Sequence, residues 1–291
     1  MVTVRIFGGL GNQLFQYAIG RDLSLKKNAD LLLDYYDQIL RTDFDGENLT
    51  RITDVFDLPV KLHIGKTRKD IINRYNLAYL DRFIGRMYLK TRYVISEDND
   101  GYSHQNIEGN KSVYLVGYWQ SERYFIGIKD IIRNEYKFKI QQQAGRLDIY
   151  KEIVGSNSVS LHIRGKDYLG NPIYGRCDVQ YYLDAIEIIR KSSPNPRIFI
   201  FTDDISNICQ HYKELLKFSE IINVQTAFNA DALDLLLMSK CKHNVICNSS
   251  FSWWGAWLNN NPDKIIVSPK QWFINPDYSS ENLIPAGWHK I

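Results

Sequence analysis

From Ser158 to Ser268 the chain alternates short β-branched and aromatic runs with longer amphipathic stretches, and this rhythm limits the fold more than any other feature. Strands are expected at Ser158–Ile163, Arg197–Phe201, Ile221–Val224, Asn244–Cys247 and Ile265–Ser268, the last closing the series. Helices are expected from Asp178, a ready N-cap, to about Lys191, then at Ile205–Leu216, Ala230–Cys241 and Ser250–Asn259. Alternation of this kind builds an α/β fold around a parallel, doubly wound sheet. Such sheets bind ligands at the carboxyl ends of their strands.

The first half opens the same way. Val2–Phe7 reads as a buried strand, Gly8–Gly11 as a turn, Asn12 to about Lys27 as a helix, and Ala29–Asp34 as a second strand. Residues 35–110 are rich in Tyr, Asp, Arg and Asn with weak periodicity, so short helices and loops are expected there. A strand is expected at Val113–Trp119 and a helix at Glu122–Tyr136. The pattern turns polar and helical at Gln141–Gly155, which places the boundary between two domains, residues 1–150 and 151–291.

Charge is balanced, with 36 basic against 33 acidic residues, which argues against nucleic acid as a partner. The basic stretch Lys66–Lys69 leaves room for peripheral contact with an anionic inner-membrane surface. No apolar run approaches the length of a membrane span, and the N-terminus enters a strand at once instead of a leader. Cys177, Cys209, Cys241 and Cys247 form no CxxC pair and have no histidine cluster beside them. Buried reduced thiols are expected, which points to the cytoplasm; structural zinc is not expected.

Four segments come directly after predicted strands. Gly8-Gly9-Leu10-Gly11-Asn12-Gln13 offers close backbone approach and the N–H groups of the next helix. Gly9, Gly11 and Asp34 also mimic a dinucleotide fingerprint, but Leu14 stands where the third glycine belongs. In His162-Ile163-Arg164-Gly165-Lys166-Asp167-Tyr168, alternation sends His162 and Arg164 to one face. An arginine there suits a diphosphate; an Arg164–Asp167 ion pair with a core histidine is the plain alternative. In Thr202-Asp203-Asp204 the carboxylates suit magnesium, guanine N–H groups, or the cap of the next helix. Asn248 to Gly255 opens a helix whose free N–H groups at Ser249, Ser250 and Phe251 suit a phosphate; Trp253 and Trp254 read as packing. No HExxH, P-loop or assembled nucleophilic triad occurs, and nothing demands a metal.

Taken together, the segments resemble the bacterial α-1,2-fucosyltransferases, a glycosyltransferase family 11-like group. The likeness runs from Ile6–Tyr17 to the end of the chain and is most specific over Leu235–Trp257. It implies a GT-B-like protein of two Rossmann-like domains, with the donor bound by the C-terminal parallel sheet. It implies inverting transfer of L-fucose from GDP-β-L-fucose to the 2-hydroxyl of a galactose-containing glycan, in O-antigen or surface-glycan synthesis, with no cofactor and no metal. Arg164 would match the arginine on the β-phosphate. His162, Asp203 and Asp204 would match guanosine-binding positions. Ser249, Ser250 and Phe251 would match the phosphate-binding turn, and Asn12 would lie near the transferred sugar. Gln13 is expected to face the acceptor, and Asp167 is the nearest carboxylate for the catalytic base. The family pattern His-x-Arg-Arg-x-Asp-Tyr loses its second arginine to Gly165 here, which opens GDP-colitose as an alternative donor. A dinucleotide-dependent oxidoreductase and a non-catalytic glycan-binding protein are the rivals of another class.

Overall fold

A computed structural model describes residues 1–35, 50–63, 93–96, 112–165, 173, 175, 177–222 and 230–291. The chain divides into two compact units, one of residues 1–52 and 58–135 and the other of residues 53–57 and 136–291. Both are α/β with parallel sheets.

In the first unit, β1 (Val2–Arg5), α1 (Leu10–Lys26) and β2 (Leu31–Asp34) form the expected opening. Val2 and Val4 have no exposure, as befits a strand covered on both sides. The sequence predicts only short helices and loops in the middle of the chain. The short helix α2 (Ile52–Val55) is joined there by two strands, β3 (Lys61–His63) and β4 (Tyr93–Ser96). They sit at the two edges of the sheet, where strands are short and need no continuous apolar run, so periodicity does not announce them. With β5 (Val113–Val116) the order is β3-β2-β1-β5-β4, all parallel. The helix expected at Glu122–Tyr136 is broken. Two 3₁₀ turns, Glu122–Tyr124 and Ile126–Ile128, precede α3 (Lys129–Glu135), because Phe125 leaves the helical region at φ −137°.

The second unit begins earlier than the sequence suggests. Phe56 stacks on Tyr136 and Phe138, each with ring centroids 4.9 Å away, and draws the crossing point back to Tyr136. Helices α4 (Gln141–Ala144) and α5 (Asp148–Gly155) come next, and α5 packs on the sheet of this unit. Then come β6 (Ser158–Ile163), α6 (Val179–Ser192), β7 (Arg197–Thr202), α7 (Ile205–His211), β8 (Ser219–Ile222), α8 (Ala230–Lys240), β9 (His243–Val245), α9 (Ser250–Trp257) and β10 (Ile266–Ser268). Every residue of β6 is buried, as a central parallel strand requires. Helix α6 buries Tyr182, Ala185, Ile186 and Ile189 on one stripe, and Asp178 caps it by accepting from Tyr181 N–H at 2.8 Å. One strand lies beyond the expected last one: β11 (His289–Lys290) pairs with β10, too short to carry a pattern. The order is β11-β10-β9-β6-β7-β8.

All four cysteines are free thiols. Cys241 and Cys247 are buried as expected, but Cys177 is half-buried and Cys209 is exposed on α7. Among the described residues no helix is long and apolar enough to cross a membrane.

Candidate functional site

In the second sheet the chain lays β7 and β8 on one side of β6 and then crosses to place β9 on the other. Reversal of this kind opens a crevice beyond the carboxyl ends of β6 and β9. His162 lies near the end of β6 at 5% exposure, and its Nδ1 is 3.2 Å from the Sγ of Cys247, just past β9. Tyr182 anchors the same residue from below by donating its hydroxyl to the His162 carbonyl at 3.0 Å. Across the crevice the Phe251 ring is tilted against the His162 ring, with centroids 5.9 Å apart.

Cys247 reports who else is present. Its thiol is pushed up to about 12, first by burial; the Arg164 charge and the Ser252 hydroxyl pull it down, and Asp203 pushes it up. A neutral thiol therefore lies amid His162, Arg164, Asp203 and Ser252. It acts as a hydrogen-bonding spacer behind the histidine and not as a nucleophile.

Arg164 is half-buried at the start of the next loop. The neighbouring glycine sets the direction of that loop. Gly165 N–H donates to Asp203 Oδ1 at 2.8 Å, fastening the loop after β6 to the loop after β7. A Cβ on Gly165 would stand 2.5 Å from the Asp204 Cβ, so the two loops meet closer than any side chain allows. Asp204 caps α7, accepting from Asn207 N–H at 3.0 Å and from the Ser206 hydroxyl at 2.6 Å. Of the three uses open to this pair, the structure displays the cap, at Asp204, and adds a fourth: Asp203 as a clasp between loops.

Helix α9 opens at the crevice. Ser249 is its N-cap residue but gives the first turn no side-chain hydrogen bond. The opening of α9, with Ser250 and Phe251 in its first turn, therefore has the geometry that receives an anion. The turn before it is pinned by Asn248, whose Nδ2 donates to the carbonyls of Gly175 and Trp272. Trp253 and Trp254 are fully buried packing residues.

Sequence reasoning overlooked Asp234 on α8. Its Oδ1 is sealed from solvent with no hydrogen-bond partner, and burial, helped by Asp231, raises its carboxyl to about 8. Helices α8 and α9 both return from the carboxyl edge and touch where Gly255 faces Met238. One turn back along each lie Asp234 and Phe251, which puts the acid at the level of the crevice. Its sequence signal was a lone acid inside the apolar run Ala232–Met238.

In the first unit, Asn12 lies in the first turn of α1, and Gln120 Nε2 donates to its Oδ1 at 2.8 Å. Gln13 has no exposure. Its Nε2 donates to the carbonyls of Gly8 and Thr50, and its Oε1 accepts from Ile52 N–H at 3.0 Å. That amide is a strut between two loops, and an acceptor sugar would have to break those bonds to reach it. Asp167, Lys166 and the Lys66–Lys69 stretch lie outside the described residues. Among the described residues no three His, Cys, Asp or Glu side chains gather as cation ligands.

The family model for glycosyl transferase family 11 matches residues 1–291. The chain belongs to glycosyl transferase family 11. Among its relatives, an Escherichia coli alpha-1,2-colitosyltransferase is 33% identical over 296 residues, covering 100% of this chain and 99% of the relative. The O-antigen biosynthesis glycosyltransferase WbnK of E. coli is 32% identical, covering 94% of this chain and 95% of its own. Among solved structures, NodZ alpha-1,6-fucosyltransferase soaked with GDP-fucose superposes at a TM-score of 0.53 and 14% identity, covering 88% of this chain and 92% of NodZ. That likeness speaks for the fold, which is GT-B-like. As a family 11 member the chain is a GDP-sugar glycosyltransferase, and the crevice in the second unit is the natural seat for the nucleotide.

Proposed function

We propose that this glycosyltransferase moves L-fucose, with inversion, from GDP-β-L-fucose to the 2-hydroxyl of a galactose-type acceptor during O-antigen synthesis. The observation that carries the donor half of this reading is the convergence of His162, Arg164 and the α9 opening at one crevice. The sugar leaves through a transition state in which negative charge collects on GDP, so the barrier falls wherever positive charge and N–H dipoles are already aimed there. Arg164 supplies a fork of donors and the first turn of α9 supplies main-chain N–H groups. His162 faces the nucleoside, and Asp234 offers a carboxylate to the N–H groups of guanine. Asn12 faces the transferred sugar, and Asp167 is the proposed base for the acceptor hydroxyl. Because arginine and helix dipole already place positive charge, turnover is expected to persist in EDTA; loss restored by magnesium would give Asp203 and Asp204 a metal to hold.

A second reading, with GDP-colitose as donor, is favoured by two observations. Gly165 replaces the second arginine of the family pattern, and a relative named as a colitosyltransferase is 33% identical. Membrane contact at the inner leaflet is a further proposal, which rests on Lys66–Lys69.

The deciding experiment measures stabilisation of the chain by a panel of GDP-sugars, followed by transfer to galactosides. GDP-fucose should raise the unfolding temperature and yield a 2-linked product; stabilisation by GDP-colitose with no fucosyl transfer would replace the first reading by the second. Arg164→Ala should lose at least about 3 kcal/mol of transition-state stabilisation, more than about a hundredfold in kcat/KM. Retention of more than about a tenth of wild-type kcat/KM would remove Arg164 from the leaving-group role.

A further inference from the structure

The first unit has a crevice of its own. Its chain lays β2 and β3 on one side of β1 and places β5 on the other, so the loops after β1 and β5 face each other across a second reversal point. The loop after β5 runs from Gly117 to Gln120.

One strained residue shapes that loop. Trp119 holds a left-handed backbone at φ 57°, unfavourable for a bulky side chain. Strain of this kind survives only where the surroundings insist on it, and it gathers at ligand sites. Here the Trp119 ring is buried edge-on to Tyr124 at 5.3 Å, and its carbonyl accepts from Ser121 N–H at 2.8 Å. Gln16, fully buried, ties the two loops together: its Oε1 accepts from Phe7 N–H, and its Nε2 donates to the carbonyls of Phe7 and Gly117. The strained turn leaves Tyr118 46% exposed, its ring propped against Phe7 at 4.9 Å. It also brings Gln120 to Asn12.

The Gln120 bond has a chemical consequence. With the Asn12 oxygen engaged, the Asn12 Nδ2 lies over Gly8, where a glycine Cβ would stand only 2.8 Å away. Gly8 takes φ 76°, so the position excludes side chains twice over. The crevice thus presents an amide donor in a set orientation beside an exposed aromatic ring. Hydroxyls meet the donor, and the apolar face of a pyranose meets the ring; a flat ring with a polar tip suits both.

We propose that the β1–β5 crevice is a saccharide subsite in which Tyr118 packs against a pyranose and Gln120 is the positioning residue that orients the Asn12 amide. The proposal rests on the transferase reading, and the pyranose is either the acceptor's or the one carried by the GDP-sugar.

Four variants test it in the full chain: Tyr118→Ala, Tyr118→Phe, Gln120→Ala and Gln120→Glu. A glutamate accepts only, so Asn12 must turn its Nδ2 toward it and present oxygen to the sugar. Tyr118→Ala, Gln120→Ala and Gln120→Glu are expected to raise a sugar KM about tenfold while GDP affinity and thermal midpoint stay unchanged. Tyr118→Phe is expected to stay within about twofold, because the ring does the packing. A rise confined to the acceptor KM assigns the subsite to the acceptor, and a rise confined to the GDP-sugar KM with constant GDP affinity assigns it to the donor's sugar. Unchanged KM for both sugars, or loss of folding and GDP affinity together, overturns the proposal. Saturation-transfer NMR with methyl galactoside and free L-fucose reads the subsite even if the chain turns over no GDP-fucose. Failure of the subsite and failure of the transferase reading are therefore separate results.

Discussion

Burial holds the Asp234 carboxyl up to about 8, and Asp231 adds to the effect. A group raised in the folded chain contributes stability below its unfolded pKa of about 3.9 and loses it as pH climbs through about 8. Stability therefore falls across that window, and Asp234→Asn should flatten the fall, which thermal midpoints at about pH 5 and pH 8.5 will read. If guanine N–H groups seat on the ionised carboxylate, GDP affinity rises by up to about tenfold per pH unit below about 8 and then levels off. The asparagine variant should show a flat titration; a wild-type profile just as flat would detach Asp234 from the nucleoside. Gly165 makes a second demand at this scale. Restoring the family arginine with Gly165→Arg drives a Cβ into Asp204, so it should cost about 1–3 kcal/mol of stability and weaken GDP binding. Pairing it with Asp204→Gly should recover the stability. His162, Arg164 and Ser249 were legible in the sequence because each lies at the end of a buried strand or just past one, where topology delivers side chains to a ligand. Asp234 was illegible, since an acid in a helix reads as surface until packing shows otherwise. Gln13 failed for the reverse reason: a polar residue in a glycine loop looks like a ligand contact, yet backbone groups consume its amide.

Elements were read best where burial is complete. Strand β6 matches its expected span residue for residue, because six buried positions leave one pattern. The edge strands β3, β4 and β11 have two to four residues each, too few for a period. Between α1 and α3 the decisive contact joins residues far apart in sequence. The Tyr17 hydroxyl donates to Glu135 Oε2 at 2.6 Å, and Arg21 reaches Glu135 Oε1 through Nε at 2.9 Å and Nη2 at 2.7 Å. Burial, with the Glu135 bond next, holds the Tyr17 phenol far above its ordinary range, so it remains a donor throughout the accessible pH range. Removing the shared acceptor strands both donors. Glu135→Ala should therefore cost about 3 kcal/mol or more, while Tyr17→Phe, which leaves the arginine pair intact, should cost about 1 kcal/mol. Urea unfolding of the two variants separates these values; equal losses would mean that the arginine pair adds nothing.

At the scale of the whole chain the units are not cut at one point in sequence. Residues 53–57 leave the first unit and join the second, where Phe56 has no exposure and stacks on Tyr136 and Phe138. Polar bonds to the main chain reinforce it: Lys139 N–H donates to the Val55 carbonyl at 3.0 Å, and the Lys139 ammonium donates to the Thr53 carbonyl at 2.7 Å. The sequence expectation of a boundary near 150 missed this because the determinant is an aromatic cluster built from both sides of residues 58–135. A residue from the first fifth of the chain thus stabilises the unit that holds the nucleotide crevice. Phe56→Ala should remove about 3–5 kcal/mol, the usual loss when a buried phenylalanine is emptied. Calorimetry with and without GDP locates that loss, because a ligand raises only the transition of the unit that binds it. The variant should lower the GDP-responsive transition, and Tyr17→Phe should lower the other. If Phe56→Ala instead lowers the transition that GDP leaves alone, residues 53–57 belong energetically with the first unit, and the isolated chain from Tyr136 onward should then bind GDP as tightly as the whole protein.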